Sequence, residues 1–270
     1  MKIVTKTELS AKDIESLIKG ELLAIRIPNF STPDTCRKLS NVVTSDTGRI
    51  NYKHDLIQKD GSIKTLDYGV ETPSIPFTWV AMEPDNLSLL EQYLTVSEKQ
   101  QSRINVAIGF DENPVRRCIG QLAKAWHHGI EIARHKGRLL HPGLLRLTLP
   151  NAVTLNDSPH IDSLLHPSFN QSAQLSMNIY LSTPEHGGEL IVWDIPPLLT
   201  ENCKTFETDD NMRKILQKKP CYKIRPEEGE LILINTRIPH AVSTFQNGCR
   251  VSQQAFIGVK DSHSPLYVWS

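Results

Sequence analysis

Two kinds of hydrophobic spacing divide the chain. Up to about residue 142 the apolar positions mostly recur every three to four residues, as on one face of a helix. Lys12 to Ile18 follows a capping residue at Ser10, and Thr32-Pro33-Asp34 opens a helix that runs to about Val43. Asp85 to Glu98 reads as another helix. Asp111 to His135 reads as the longest, with Asp111 as its cap and Pro114 in its first turn. Along it Val115, Ile119, Leu122, Ala123 and Trp126 recur at helical spacing. Glu21 to Ile27 reads as a strand ended by Pro28. Residues Ile50 to Pro76 are polar and long for a structureless loop, so they are either partly stranded or functional, for example as a lid.

From Leu144 the pattern changes to short alternating or apolar runs bounded by Gly, Pro, Asn or Asp. The predicted strands are Leu144 to Leu149, Leu175 to Leu181, Glu189 to Trp193, Tyr222 to Ile224, Glu230 to Asn235, Ala241 to Phe245 and Arg250 to Val259, with a helix over Asp209 to Gln217. This implies an α+β, mainly β fold: a sandwich or jelly roll, with the N-terminal helices packed on one outer face. In one strand the polar set is Gln174, Ser176, Asn178 and Tyr180, and the apolar set is Leu175, Met177, Ile179 and Leu181. The polar set faces either solvent or a polar cavity, and the residues discussed next favour the cavity.

Composition narrows the classes of function. Thirty Lys and Arg balance thirty Asp and Glu, so the usual electrostatic footprint of a nucleic-acid binder is missing. The N-terminus is charged throughout and does not read as a signal peptide. No apolar run approaches the roughly 20 residues of a membrane span. Five scattered cysteines form no CxxC pair, which suits reduced thiols and a cytoplasmic protein.

Of ten histidines, His127, His128 and His135 fall on the predicted long helix, and His54, His141, His166, His186 and His263 in predicted loops. His160 and Asp162 stand apart, because residues i and i+2 of an extended segment point to the same side. With His240, in Pro239-His240-Ala241-Val242, they supply two imidazoles and one carboxylate. That is the ligand set of the facial triad of non-haem Fe(II) sites, although a zinc site uses the same ligand types. Ten positions after His240 comes Arg250, whose guanidinium can grip a carboxylate bidentately, with Ser252 able to add a hydrogen bond. For both His240 and Arg250 to face one cavity across Gln246-Asn247-Gly248, a hairpin with a three-residue loop is required. It pairs Thr244 with Arg250 and puts Gly248 at positive φ.

Taken in order, Pro159-His160-Ile161-Asp162, Leu175 to Leu181, Gly187-Gly188-Glu189-Leu190, Pro226-Glu227-Glu228-Gly229-Glu230-Leu231, Pro239-His240-Ala241-Val242 and Arg250-Val251-Ser252 resemble the 2-oxoglutarate/Fe(II)-dependent dioxygenase family. The Gly-Gly-Glu-Leu strand, the inserted helix before Cys221 and the tail Tyr267-Val268-Trp269-Ser270 are most similar to its subgroup of small stand-alone amino-acid hydroxylases and alkaloid halogenases. The resemblance implies a double-stranded β-helix (jelly roll) over residues 143–260, preceded by a mainly helical part at 1–142 with a possible lid at 50–76. A tail at 261–270 completes a single domain. It also implies iron held by His160, Asp162 and His240, and 2-oxoglutarate held by Arg250 and Ser252, with O2 as the oxidant. Asn178 and Tyr180, on the polar strand face, are candidates for contacts to 2-oxoglutarate or a metal ligand. Trp193 is a candidate for the cavity wall or, as the simpler reading, for core packing.

Related halogenases replace the carboxylate ligand with a small residue that leaves room for halide. Asp162 therefore implies oxygenation, most simply hydroxylation of an unactivated C–H bond. The expected substrate is a small molecule, an amino acid or amino-acid-derived metabolite, with no nucleic-acid or membrane partner. Desaturation or cyclisation, a peptide substrate, a zinc hydrolase and a cupin-like metal-binding sensor remain as alternatives.

Overall fold

The computed structural model describes residues 2–57, 62–151, 159–164, 169–203 and 214–270. Along the chain run β1 (Ile3–Thr5), α1 (Ala11–Lys19), β2 (Ala24–Ile27), α2 (Pro33–Thr44), β3 (Ile50–Ile57), β4 (Ile63–Thr72), α3 (Phe77–Met82), α4 (Leu87–Ile108) and α5 (Pro114–Ala125). There follow β5 (Ile130–Ile132), β6 (Arg134–His135), β7 (Arg138–Leu139), β8 (Leu144–Thr148), β9 (Ala173–Ser182), β10 (Leu190–Trp193), α6 (Thr200–Cys203) and β11 (Cys221–Ile224). The last are β12 (Leu231–Asn235), β13 (His240–Val242), β14 (Arg250–Val259) and β15 (Leu266–Trp269). No helix among the described residues is long and apolar enough to cross a membrane.

A large sheet has the order β1-β2-β12-β9-β14-β8-β4-β3, with β15 on β14 and β5 on β15. A small sheet has the order β11-β10-β13. Period-2 alternation sorts the side chains of the large sheet into two environments. Leu175, Met177, Ile179 and Leu181 of β9 and Leu231 and Leu233 of β12 pack with Ile14, Leu17, Leu39, Ile104 and Leu122 from α1, α2, α4 and α5. Tyr180 of β9 and Ile232 and Ile234 of β12 point the other way, against Leu190, Val192 and Ile224 of the small sheet. The layers are therefore helices, large sheet, small sheet, and the polar set of β9 lies inside the molecule. Gln174, Ser176 and Tyr180 are each 1% exposed, which excludes a solvent-facing polar side.

The helix starts follow local hydrogen-bond chemistry. The Ser10 and Thr32 hydroxyls accept from Asp13 N and Thr35 N and cap α1 and α2. Within the segment 50–76, Ile50–Ile57 and Ile63–Thr72 form the antiparallel pair β3–β4, and β4 joins β8 at the edge of the large sheet.

Two expectations are corrected. The longest helix is α4, with 22 residues, and the segment Asp111 to His135 is not one helix. Asn113, not Asp111, caps α5, because Asp111 is engaged by Lys38 while Asn113 Oδ1 accepts from Val115 N and Arg116 N. The helix stops at Ala125, where Trp126 turns extended and its indole N–H donates to the Ser264 carbonyl. Ile130–Ile132 is then taken as a parallel partner by β15, so His127, His128 and His135 lie outside any helix.

The second correction concerns His240 and Arg250. Gly248 has φ +83° as expected, but no hairpin pairs β13 with β14. β13 pairs with β10 of the small sheet, and β14 pairs with β8, β9 and β15 of the large one. Residues 243–249 cross from one sheet to the other. Within the tail, β15 adds to the large sheet. Of the helix expected over Asp209 to Gln217, residues 209–213 lie outside the described residues and 214–216 are helical.

Candidate active site

His160 and His240 are tied by a two-bond antiparallel bridge. Each backbone N–H donates to the other's carbonyl at 2.9 Å. Two residues on, Asp162 N donates to the Thr236 carbonyl, while the Thr236 hydroxyl and the Gln174 amide donate back to the Asp162 carbonyl. The His-Ile-Asp segment is thereby pinned between the end of β12 and the start of β9. Ligand atoms of His160, Asp162 and His240 all lie within 4.8 Å of one another. The two imidazole centroids are 4.5 Å apart, and His240 Nε2 is 3.5 Å from Asp162 Oδ2. His240 Nδ1 sits 3.0 Å from the Ile238 carbonyl, which assigns the N–H to Nδ1 and leaves Nε2 free to act as a ligand. Burial raises the Asp162 carboxyl. The interactions with His240, His160 and Arg146 outweigh this and hold its pKa at about 2. A permanently ionised carboxylate beside two imidazoles suits a divalent cation.

These side chains line a cavity between the sheets, together with Arg250, Tyr180, Asn178 and Arg146. Arg250 enters from the large sheet, opposite His240 on the small one. Its guanidinium carbon is 5.0 Å from the Tyr180 ring centroid, and one Nη donates to the Tyr180 hydroxyl at 3.2 Å. Arg250 Nε is buried with no hydrogen-bond partner. A half-buried guanidinium whose buried Nε–H is idle is the complement of a carboxylate, so the residues present fit a chelating dicarboxylate that reaches from the metal cluster to Arg250.

Asn178 lines the cavity and donates to Ser176 Oγ at 3.0 Å. Ser252 is 3% exposed and lies opposite Tyr180 in the β14–β9 register, but it does not line the cavity. Trp193 packs beside Ile161, Cys203 and Leu216, and its indole N–H donates to the Leu216 carbonyl. The core reading of Trp193 therefore stands. On the β3–β4 pair, Lys53 pairs with Asp67 and Glu71 with Arg49. The side chains of His54, Asp55, Lys64 and Tyr68, and residue His166, lie outside the described residues.

Tyr52, Arg146 and Gln254 also line the cavity and were not singled out from the sequence. Arg146 left one signal: it is the charged centre of Leu144-Leu145-Arg146-Leu147-Thr148, where a strand between two packed layers should be apolar.

Comparison with known proteins adds a family likeness over part of the chain. Residues 138–270 match the family described as carrier-protein-independent halogenase WelO5. No protein of curated function matches the sequence. Among solved structures, AviO1 from Streptomyces viridochromogenes Tue57 is similar, with 12% identity, a TM-score of 0.50, and 96% of this chain and 98% of that chain covered. An N-substituted L-amino acid dioxygenase from Burkholderia ambifaria AMMD has 11% identity and a TM-score of 0.48, covering 82% of this chain and 100% of that one. An oxidoreductase of the 2OG-Fe(II) oxygenase family from Burkholderia pseudomallei has 13% identity and a TM-score of 0.46, covering 94% and 93%. At these identities the likeness is one of fold. The sequence match spans the part of the chain that carries the metal-type cluster and Arg250. Over these residues, just under half of the chain, the protein is similar to that halogenase family, and the donor set of His160, Asp162 and His240 fits a divalent metal of the Fe(II) type.

Proposed function

We propose that this protein hydroxylates an unactivated C–H bond of a small molecule, an amino acid or amino-acid-derived metabolite. One observation carries the reading: the cluster of two imidazoles and a carboxylate faces, across the cavity, the Arg250 guanidinium, whose Nε is buried with no hydrogen-bond partner. His160, Asp162 and His240 hold the iron, and Arg250 holds the far carboxylate of 2-oxoglutarate. Tyr180 orients Arg250, and Asn178 contributes from the neighbouring polar face. Ser252 supports Arg250 from within the same strand. When bound, the iron couples oxidative decarboxylation of 2-oxoglutarate to oxidation of the substrate. The chain's task is to fix both ends of the co-substrate and keep water out, and the β3–β4 pair that brings Tyr52 to the cavity acts as the cover.

The two-sheet frame is a double-stranded β-helix. The buried apolar cluster that runs from Leu9 to Val268 supports a single domain. Asp162 favours hydroxylation over halogenation, because its carboxylate takes the coordination position that a halide would need. The match to a halogenase family is what favours the opposite outcome.

The test is anaerobic titration of the protein with Fe(II) and 2-oxoglutarate in the visible range. A weak metal-to-ligand charge-transfer band should appear only with both present. It should vanish in Arg250→Ala and Asp162→Ala. Absence of the band in the wild-type protein would sink the oxygenase reading. With a turned-over substrate in chloride buffer, a product heavier by one oxygen supports hydroxylation, and a chlorine isotope pattern refutes it.

A further inference from the structure

Arg146 projects from the middle of β8 into the same cavity, opposite Ser252 in the β14 register. One Nη donates to the Gln254 side-chain carbonyl, and the guanidinium carbon lies 5.6 Å from the Tyr52 ring centroid. No carboxylate among the described residues pairs with it. Two other arginines drawn into the fold meet carboxylates: Arg26 pairs with Glu230 and Arg103 with Asp46. A cation set between packed strands, hydrogen-bonded to a neutral amide and touched by Asp162 only through its charge, is costly unless an anion joins it.

The charge balance of the loaded site points the same way. Two guanidinium groups and a divalent iron stand against one carboxylate ligand and a dianionic co-substrate, so one positive charge is left over. Position separates the roles of the two arginines. Arg250 lines only the part of the cavity beside the metal cluster. Arg146 also lines an adjoining lobe, walled by Pro76, Leu144 and Phe256 and closed by Tyr52.

Resting on the oxygenase reading above, we propose that Arg146 is the substrate anchor, and that the substrate is a small organic acid. Its carboxylate pairs with the guanidinium between Gln254 and Tyr52, and its apolar part lies against Leu144 and Phe256. Arg146 is then a specificity residue distinct from the co-substrate's Arg250.

The experiment uses the full chain loaded anaerobically with Fe(II) and 2-oxoglutarate. Hexanoate and phenylacetate are titrated against their neutral amides, hexanamide and phenylacetamide, and binding is followed by calorimetry and by perturbation of the charge-transfer band. The wild type should bind the acids at least tenfold more tightly than the amides. Arg146→Gln should erase that preference, and Arg146→Lys should keep part of it, while both variants bind 2-oxoglutarate within about threefold of wild type. Equal binding of acids and amides by the wild type, with the band intact, overturns this inference alone. A tenfold or greater loss of 2-oxoglutarate affinity in folded Arg146→Gln or Arg146→Lys also overturns it, because Arg146 would then serve the co-substrate. If the wild type forms no band at all, the oxygenase reading fails and this inference falls with it. Circular dichroism of each variant separates misfolding from lost binding.

Discussion

One backbone carbonyl decides how His240 presents itself. Because Ile238 O accepts from Nδ1, the ring's Nε2 is the atom aimed at Asp162. The same economy is seen at the first helix. Asp13 accepts from the Ser10 hydroxyl and pairs with Lys6 at 2.9 Å. Burial raises the Asp13 carboxyl, but the bonds to Ser10 and Lys6 win and lower it below its ordinary 3.8. A carboxyl lowered in the folded state stabilises the fold fully above that ordinary value and loses the effect as pH falls through the lowered one. Asp13→Asn should therefore cost about 1 kcal/mol near neutral pH, and the difference from wild type in urea unfolding should shrink towards zero in strong acid. Ser10→Ala removes the cap and the bond to Asp13 together and should cost about 0.5–2 kcal/mol near neutral pH, and less in strong acid.

At the scale of elements, β12 shows why the strands resist change. Its odd residues face the helices and its even residues face the small sheet, all near zero exposure. Leu233→Ala should lower stability by about 2–5 kcal/mol in denaturant titration, since neither layer can collapse into the space. The crossing between the sheets is equally constrained. At Gly187, φ is +78° and a Cβ would meet the Thr244 carbonyl oxygen at 2.2 Å. Gly187→Ala must push back the segment that links β13 to β14, and with it the spacing of His240 and Arg250. Its predicted signature is a lower melting temperature together with weaker 2-oxoglutarate binding. Normal binding in a destabilised variant would show that the crossing does not set the site.

At the scale of the molecule, the candidate site is the seam between two sheets. His240 belongs to the small sheet, Arg250 to the large one, and His160 and Asp162 to the segment stapled between them. Ligands that bridge the seam should therefore hold the layers together. Manganese, a redox-quiet stand-in for iron, added with 2-oxoglutarate should raise the melting temperature. The gain is about 2.7 kcal/mol when free ligand reaches a hundredfold above its dissociation constant. A chelator should reverse it, and Arg250→Ala should lose the increment due to 2-oxoglutarate while keeping that due to the metal.

Local chemistry was legible in the sequence. The Ser10 and Thr32 caps, the two-sided β9 and the residue types of the candidate ligand set all depend on neighbours a few positions away, and hydrogen-bond geometry and period-2 alternation act at that range. What the sequence alone could not decide was which edge each segment would join. Asn247-Gly248 is a good local turn, yet β13 and β14 part because each finds a better partner in a different sheet. Ile130–Ile132 continues a helical spacing, yet β15 offers it an open edge. Arg146 and Tyr52 lie far from His160 in sequence and meet it only when β8 and β3 reach the same end of the large sheet. Residue chemistry is written locally, but strand pairing is a competition among distant edges, and only the tertiary structure settles it.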